Sequence, residues 1–333
     1  MDDQNKIPTD DAPGTRPEAA PRPRRERIGI SIGSAPAPEL VEAIVAAESA
    51  GVTQVWMTQN PVSPDALTVY AAALGRTQRI RVGTSIVPLY PRHPLALAQQ
   101  AARVAALAPG RLRLGVGPSH RPAIEGTYGL PMEAPLVHLR EYVTVLRSAL
   151  WDGRVDYRGR FVTAKANLTS APRVPLLVSA LGESAFRLAG EIADGAISWN
   201  CPPRYLLDVG LPALRAGARA AGRAAPALVA HVWVGLSTDQ AAVRAALRQA
   251  LGGYARLPFY AAMFAASGHP VQPDGSVSDA LIDALAVAGD DAALTAHLDE
   301  LLGSGLDELL LTAVPLGNPA AERASLIQLA GKL

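Results

Sequence analysis

Eight short apolar runs, each followed by an alanine-rich amphipathic stretch, constrain this chain more than any other feature. The runs are Ile28–Ile32, Gln54–Thr58, Ile80–Pro88, Leu112–Gly117, Pro175–Ala180, Gly195–Trp199, Leu228–Leu236 and Glu308–Val314, and they read as strands. Between them Pro38–Ala50, Pro64–Arg76, Pro94–Leu107, Leu136–Leu150, Ser184–Ile192, Tyr205–Ala221 and the region from Thr238 onward read as helices. Several of these open on a proline, whose missing N–H costs little in a first turn. Gly51 and Gly110 follow the ends of two others. Strands alternating with helices at this length, 333 residues, predict an α/β fold, a single (β/α)8 TIM barrel rather than a doubly wound sheet.

The first 26 residues are built of Pro, Asp, Arg and Glu with almost nothing apolar, which predicts a disordered tail ahead of one domain over 27–333. Arg24-Arg25 before Ile28–Ala37 superficially resembles a twin-arginine export signal. That apolar run is short and broken by Gly29, Ser31, Gly33 and Ser34, so it serves better as the first core strand, and the expected location is cytoplasmic. No run approaches transmembrane length. A net charge of +1 gives no sign of a nucleic-acid or membrane partner. The one cysteine, Cys201, excludes an internal disulfide and a thiolate metal cluster, and is expected to pack at a strand end. Two stretches depart from the alternation. Val155–Thr163 reads as a hairpin turning at Arg158-Gly159. Gly253–Gly289 is an insertion before the eighth strand, carrying Tyr254, Pro258, Phe259 and Tyr260 and then a polar patch at His269–Ser278. It is either a lid or dimer surface or a helix with a loose loop, and the polar patch favours the loop.

Barrel chemistry sits at the C-terminal ends of the strands. Here those ends are Ser31–Ser34, Thr58–Asn60, Thr84–Pro88, Gly117–Arg121, Ala180–Ser184 and Trp199–Cys201, with Glu183 the only acid among them. No His-x-x-x-His or Cys/His cluster is present, so no metal site is expected. There is no phosphate-binding P-loop signature. Gly, Ser, Thr, Gln, Asn and His without acids suit a bound organic cofactor that supplies the chemistry itself. Within Arg111–Pro122, RLRLGVGPSHRP, Gly115 and Gly117 would let a neighbour approach the backbone closely. Ser119, His120 and Arg121 then suit an anionic ligand, although a glycine-relieved strand end with a solvated loop explains them equally. A dinucleotide fingerprint does not fit. The third glycine is missing, Pro118 and Pro122 interrupt the run, and no helical pattern opens before about Pro135.

Pro91–Gly117, PRHPLALAQQAARVAALAPGRLRLGVG, resembles the third-helix-to-fourth-strand segment of the bacterial luciferase-like superfamily. Gly289–Thr312, GDDAALTAHLDELLGSGLDELLLT, resembles its closing helix and eighth strand. Gly117–Gly129, followed by His138–Tyr142, is similar to a branch dependent on the deazaflavin coenzyme F420. The resemblance implies a barrel, usually a homodimer, that binds F420 or FMN at its C-terminal face. Carried over by position, it implies a bulge at Thr84-Ser85-Ile86 with a non-proline cis peptide at Ser85–Ile86 against one face of the cofactor. Gln59, Gly115, Gly117 and Ser119 would line the cofactor. Ala180, Leu181, Gly182, Glu183 and Ser184 would present a helix start to its phosphate.

This chain also departs from the family. Gln59-Asn60 stand where several relatives place Asp-His, and Pro118 where some F420 dehydrogenases carry a glutamate. His120 is therefore the candidate for proton transfer, or else it only hydrogen-bonds the cofactor or the backbone. His93 is read as a brace at a helix start, and His138 and Arg140 as scaffold. Trp199, Tyr128 and Tyr260 are read as pocket wall or core. The leading reading is an F420-dependent oxidoreductase acting on a small organic substrate. The alternatives are an FMN-dependent monooxygenase supplied by a flavin reductase, and a cofactor-free barrel with a binding role.

Overall fold

The computed structural model describes residues 22–33 and 35–333; the expected tail over 1–21 lies outside the described residues. The strands are β1 (Ile28–Ser31), β2 (Gln54–Met57), β3 (Arg81–Thr84), β4 (Val87–Pro88), β5 (Leu112–Gly117), β6 (Arg154–Arg158), β7 (Thr163–Asn167), β8 (Leu176–Ser179), β9 (Gly195–Ile197), β10 (Ala227–Gly235), β11 (Ala286–Ala288) and β12 (Glu308–Ala313). Eight of them close a parallel barrel in the order β1-β2-β3-β5-β8-β9-β10-β12 and back to β1. All eight runs read as strands from the sequence are staves of this barrel. Ile80–Pro88 is divided at Ser85–Ile86, whose peptide bond is cis, and its far end, β4, pairs with the top of β5.

Apolar helix faces cover the outside of the barrel. Leu40 and Ile44 on helix Ala37–Ser49 and Leu97 and Ala101 on helix Pro94–Leu107 are wholly buried. The inside is filled by Trp56, Leu177, Ile197, Val229 and Leu310. Trp56 needs its neighbours to be glycine. A Cβ at Gly29 would stand 2.5 Å from the indole, and one at Gly83 2.3 Å.

Below this layer the N-terminal end of the barrel is closed by charge. Glu308 is 2% exposed and pairs with Arg113 and Arg22, each at 2.6 Å. Arg113 also donates to Gln54 Oε1 at 2.8 Å, and its guanidinium lies 4.9 Å from the Trp56 ring centre. The expected tail is corrected here. Arg24–Glu26 form a short 3-10 turn, Thr53 Oγ1 donates to the Arg25 carbonyl and Gln54 Nε2 to that of Glu26. Arg22–Glu26 thus cap the barrel base, because charged residues that look solvated in the sequence find a buried carboxylate and strand-end donors.

Two further expectations are adjusted. The hairpin exists as β6–β7, but Arg158 pairs with Thr163, so its turn spans 159–162. The Glu141 carboxylate accepts the N–H groups of Arg160, Phe161 and Val162 at 2.8, 2.8 and 3.0 Å. Burial pushes that carboxyl up, and the three donors outweigh it, holding it below its ordinary value. Gly159 is required because a Cβ there would meet Glu141 Oε2 at 2.3 Å. A single wide helical turn also spans Pro122–Thr127, ahead of helix Pro135–Arg147, where no helix was expected. One turn is too short to show a periodicity.

Glu308→Gln should destabilise the fold by about 3–5 kcal/mol in denaturant titration, because it strands Arg113 without its anion. Burial raises the Glu308 carboxyl, but Arg113 and then Arg22 hold it net below its ordinary 4.5. A depressed carboxylate contributes its stability above the unfolded value and loses it as the folded group protonates. The gap between wild type and variant should therefore narrow as pH falls below about 4.5. A gap that stays constant down to pH 3 would show that the folded carboxyl is not held below its ordinary value.

Candidate active site

At the C-terminal mouth the strand ends deliver mostly neutral groups. Thr84 is fully buried; its Oγ1 donates to the Gly115 carbonyl at 2.7 Å and accepts the Gly115 N–H at 2.8 Å. A Cβ at Gly115 would stand 2.0 Å from the Thr84 carbonyl oxygen, and one at Gly117 2.1 Å from Ser179 Oγ. Both glycines therefore make room for neighbouring strands. Ser85 is buried, and its Oγ lies 3.2 Å from that of the exposed Thr58. Ile86 packs on the upper layer of the barrel interior together with Trp199. Gln59 is turned aside, with its Oε1 3.5 Å from the Ala66 N–H, and Asn60 closes its own turn through Val62 and Ser63.

Ala180 and Leu181 form the lead-in to helix Glu183–Ile192. Ala180 N–H donates to the Ile197 carbonyl at 2.9 Å, and the Leu181 carbonyl accepts Tyr205 Oη–H at 3.1 Å. Gly182 begins the helix without a side-chain cap. Gly182, Glu183 and Ser184 are exposed, and a Cβ at Gly182 would meet nothing within 4 Å. Among the described residues no acceptor satisfies the Glu183 and Ser184 N–H groups. Such a helix start attracts anions through its free donors and its dipole.

Ser119 takes a left-handed backbone, φ 61°, which turns His120 inward. The His120 ring sits among Tyr254, Phe259 and Tyr260, with ring centres 5.6, 5.8 and 5.7 Å away. Burial lowers its pKa. The aromatic part of the insertion is therefore folded as the end of helix Gln240–Ala255, which carries Tyr254, and helix Pro258–Ala266, against the fourth barrel strand's loop, while the polar patch at His269–Ser278 stays non-helical.

A second imidazole went unnoticed in the sequence. His231, 2% exposed, stacks on Trp199 with ring centres 3.8 Å apart. Its Nδ1 accepts the Asn200 N–H at 3.4 Å, which assigns the proton to Nε2, 3.1 Å from Thr312 Oγ1. Trp233 Nε1 donates to Asn200 Oδ1 at 2.8 Å. Burial drives the His231 pKa down to about 3. Trp199 lies against the Tyr254 hydroxyl, so one aromatic wall runs from β9 across to His120. The period-two pattern Val229, His231, Trp233 on β10 held the signal, since alternate residues share a face. The strand ends gathered above omitted the seventh and eighth strands.

The remaining candidates are structural. Cys201 is wholly buried and its thiol is pushed up to about 12. His93 caps helix Pro94–Leu107 through Leu95 N–H and reaches the Thr163 carbonyl at 3.3 Å. His138 stacks on Phe161, Arg140 pairs with Glu191, and Tyr260 is core, 1% exposed. Among the described residues, no three His, Cys, Asp or Glu side chains gather to hold a metal.

A closed parallel barrel with its polar groups at the C-terminal mouth defines the class. The model of the luciferase-like monooxygenase family matches residues 16–308, and the chain belongs to that family. It is 38% identical over 179 residues to an F420-dependent glucose-6-phosphate dehydrogenase of Microbacterium testaceum, a match covering 51% of this chain. The chain spans about half, 53%, of that relative's length. Among solved structures it resembles the coenzyme F420 dependent tetrahydromethanopterin reductase of Methanopyrus kandleri at a TM-score of 0.77 and 22% identity, covering 92% of this chain and 97% of the other. It also resembles an F420-dependent secondary alcohol dehydrogenase solved with an F420-acetone adduct, at 0.73 and 23%, covering 91% and 98%. At these identities the two structures establish the fold.

His231 should remain neutral in its Nε2–H form across the working range. Its folded pKa of about 3 lies below the ordinary 6.5, so its contribution to stability is complete above the unfolded value and lost as pH falls toward 3. Nitrogen-15 shifts of the ring should be flat from about pH 7.5 to 4.5; a titration midpoint above 5 would place the ring in water instead.

Proposed function

We propose that the protein is an F420-dependent oxidoreductase that moves a hydride between the deazaflavin and a small organic substrate. The observation that carries this reading is the exposed, uncapped helix start at Gly182–Ser184, which shares the barrel mouth with a neutral aromatic and imidazole wall. The names of the relative and of the two structures support the choice of cofactor. When bound, F420 accepts or donates a hydride at its ring carbon. The residues of this chain do the rest. The Glu183 and Ser184 N–H groups would hold its phosphate. Ser85, Ile86 and Ser119 would stand against the ring, while the buried Thr84, Gly115 and Gly117 hold the strand ends beneath it. Ala180 and Leu181 fix the helix start, and Gln59 flanks the second strand's end. Oxidising an alcohol releases one hydride and one proton; His120, held neutral, has a bare ring nitrogen to take that proton.

A homodimer and a cytoplasmic location belong to the same reading. The dimer is supported by apolar side chains left exposed on the outer helices at Leu107 and Val137. No helix among the described residues is long and apolar enough to cross a membrane. The family's monooxygenase description keeps FMN, with a partner flavin reductase, as the second reading.

Titration with F420 and FMN side by side tests the cofactor. F420 should bind tighter, and Gly182→Val should weaken it at least about tenfold by crowding the helix start. The melting temperature should hold, since Gly182 has φ −95° and ψ 163° and open space for a side chain. FMN binding tighter would move the protein to the monooxygenase reading.

His120→Asn should lower turnover by roughly 10²–10⁴-fold with F420 affinity little changed. Because burial lowers the His120 pKa, the acidic limb of the wild-type pH–rate profile should fall below the ordinary imidazole value of 6.5 and vanish in the variant. Weakened F420 binding with intact single-turnover transfer at saturation would make His120 a cofactor ligand instead.

A further inference from the structure

We infer that the substrate of this mouth is an uncharged, largely apolar alcohol or carbonyl compound whose oxygen is held by the Thr312 hydroxyl, and that a phosphorylated sugar does not fit. The inference rests on the hydride-transfer reading and names the substrate class for the same site.

The mouth combines aromatic walls with the Thr312 hydroxyl. Trp199 and Tyr254 are half-buried, Phe259 is exposed, and Ile86 closes the interior layer beneath Trp199. Thr312 stands half-buried at the end of β12. Its oxygen already accepts the proton on His231 Nε2. The Thr312 hydrogen is then free to donate to a substrate oxygen. His231 is sealed behind Trp199 and stays neutral, so this donor keeps its orientation across the working pH range.

Among the described residues, the lysines and the arginines flanking His120 and β4 already face carboxylates, and Arg256, beside Tyr254, is exposed to solvent. Lys165 sits on the β6–β7 hairpin paired with Asp156, and Lys332 on the last helix paired with Asp291; Lys6 lies outside the described residues. Arg121, next to His120, is paired with Glu125 and 56% exposed. Arg92, beyond β4, is paired with Asp65 at 2.7 Å. The free helix start at Gly182–Ser184 is occupied by the cofactor's own phosphate in this reading. Phosphate recognition relies on guanidinium, ammonium or backbone donors, and moving a dianion against aromatic walls without them carries a heavy desolvation cost. A neutral ring or chain bearing one hydroxyl or carbonyl loses only apolar hydration there and regains its one hydrogen bond.

Calorimetric titration of the F420-loaded protein with cyclohexanol and with glucose 6-phosphate decides the matter. Cyclohexanol should bind at least about tenfold tighter, with an affinity that added salt does not change. Thr312→Val, which keeps shape and removes the hydroxyl, should weaken cyclohexanol binding, and Thr312→Ser should restore it. Tighter, salt-sensitive binding of glucose 6-phosphate overturns the inference, as does failure of cyclohexanol to bind or indifference to Thr312→Val. The same titrations without cofactor separate the two readings. If F420 does not bind but the preference for cyclohexanol persists, the cofactor reading falls and the substrate class stands.

Discussion

The indole of Trp56 fills the middle of the barrel only because Gly29 and Gly83 on the two flanking strands carry no side chain, and the upper site inherits its level from that plug. Leu177, Ile197, Val229 and Leu310 complete the layer. Ile86 and Trp199 rest on it, so the mouth has an apolar floor directly above the plug. Beneath it, Arg113 joins the indole face to the buried Glu308 carboxylate. Base, plug and mouth are stacked along the same alternating residues. On β12 these are Glu308, Leu310 and Thr312; on β10 Val229 lies in the plug, with His231 and Trp233 above it. A change at one level is transmitted to the next through close packing.

The glycines show how one residue type answers different demands. Gly115 and Gly117 look, in sequence, like a backbone opened to a ligand. In the fold they are filled by the Thr84 carbonyl and the Ser179 hydroxyl. Gly182 is less conspicuous, yet of these three it is the one with open space around it and unsatisfied N–H donors beyond it. The distinction between a glycine that admits another strand and one that admits a ligand depends on what stands opposite, which no local pattern contains.

Local sequence was sufficient for the strands, the barrel class, the broken third stave and its cis bond, because apolar period and family pattern are properties of short segments. The hairpin's position was legible for the same reason, and its turn was not, because Glu141 sets it from another helix. His120 is legible as a candidate from its place after a strand, but its aromatic surroundings are not.

By itself, then, the chain determined the eight barrel strands and most of the helices between them, and that polar loops end those strands. Only the tertiary structure decided that Arg22–Glu26 cap the barrel base and that the insertion lays Tyr254 and Phe259 beside His120. It alone paired His231 with Thr312, 81 residues apart. The physical reason is that period and capping act over a few residues, whereas burial, ion pairing and hydrogen-bond satisfaction are settled between staves that meet only when the barrel closes.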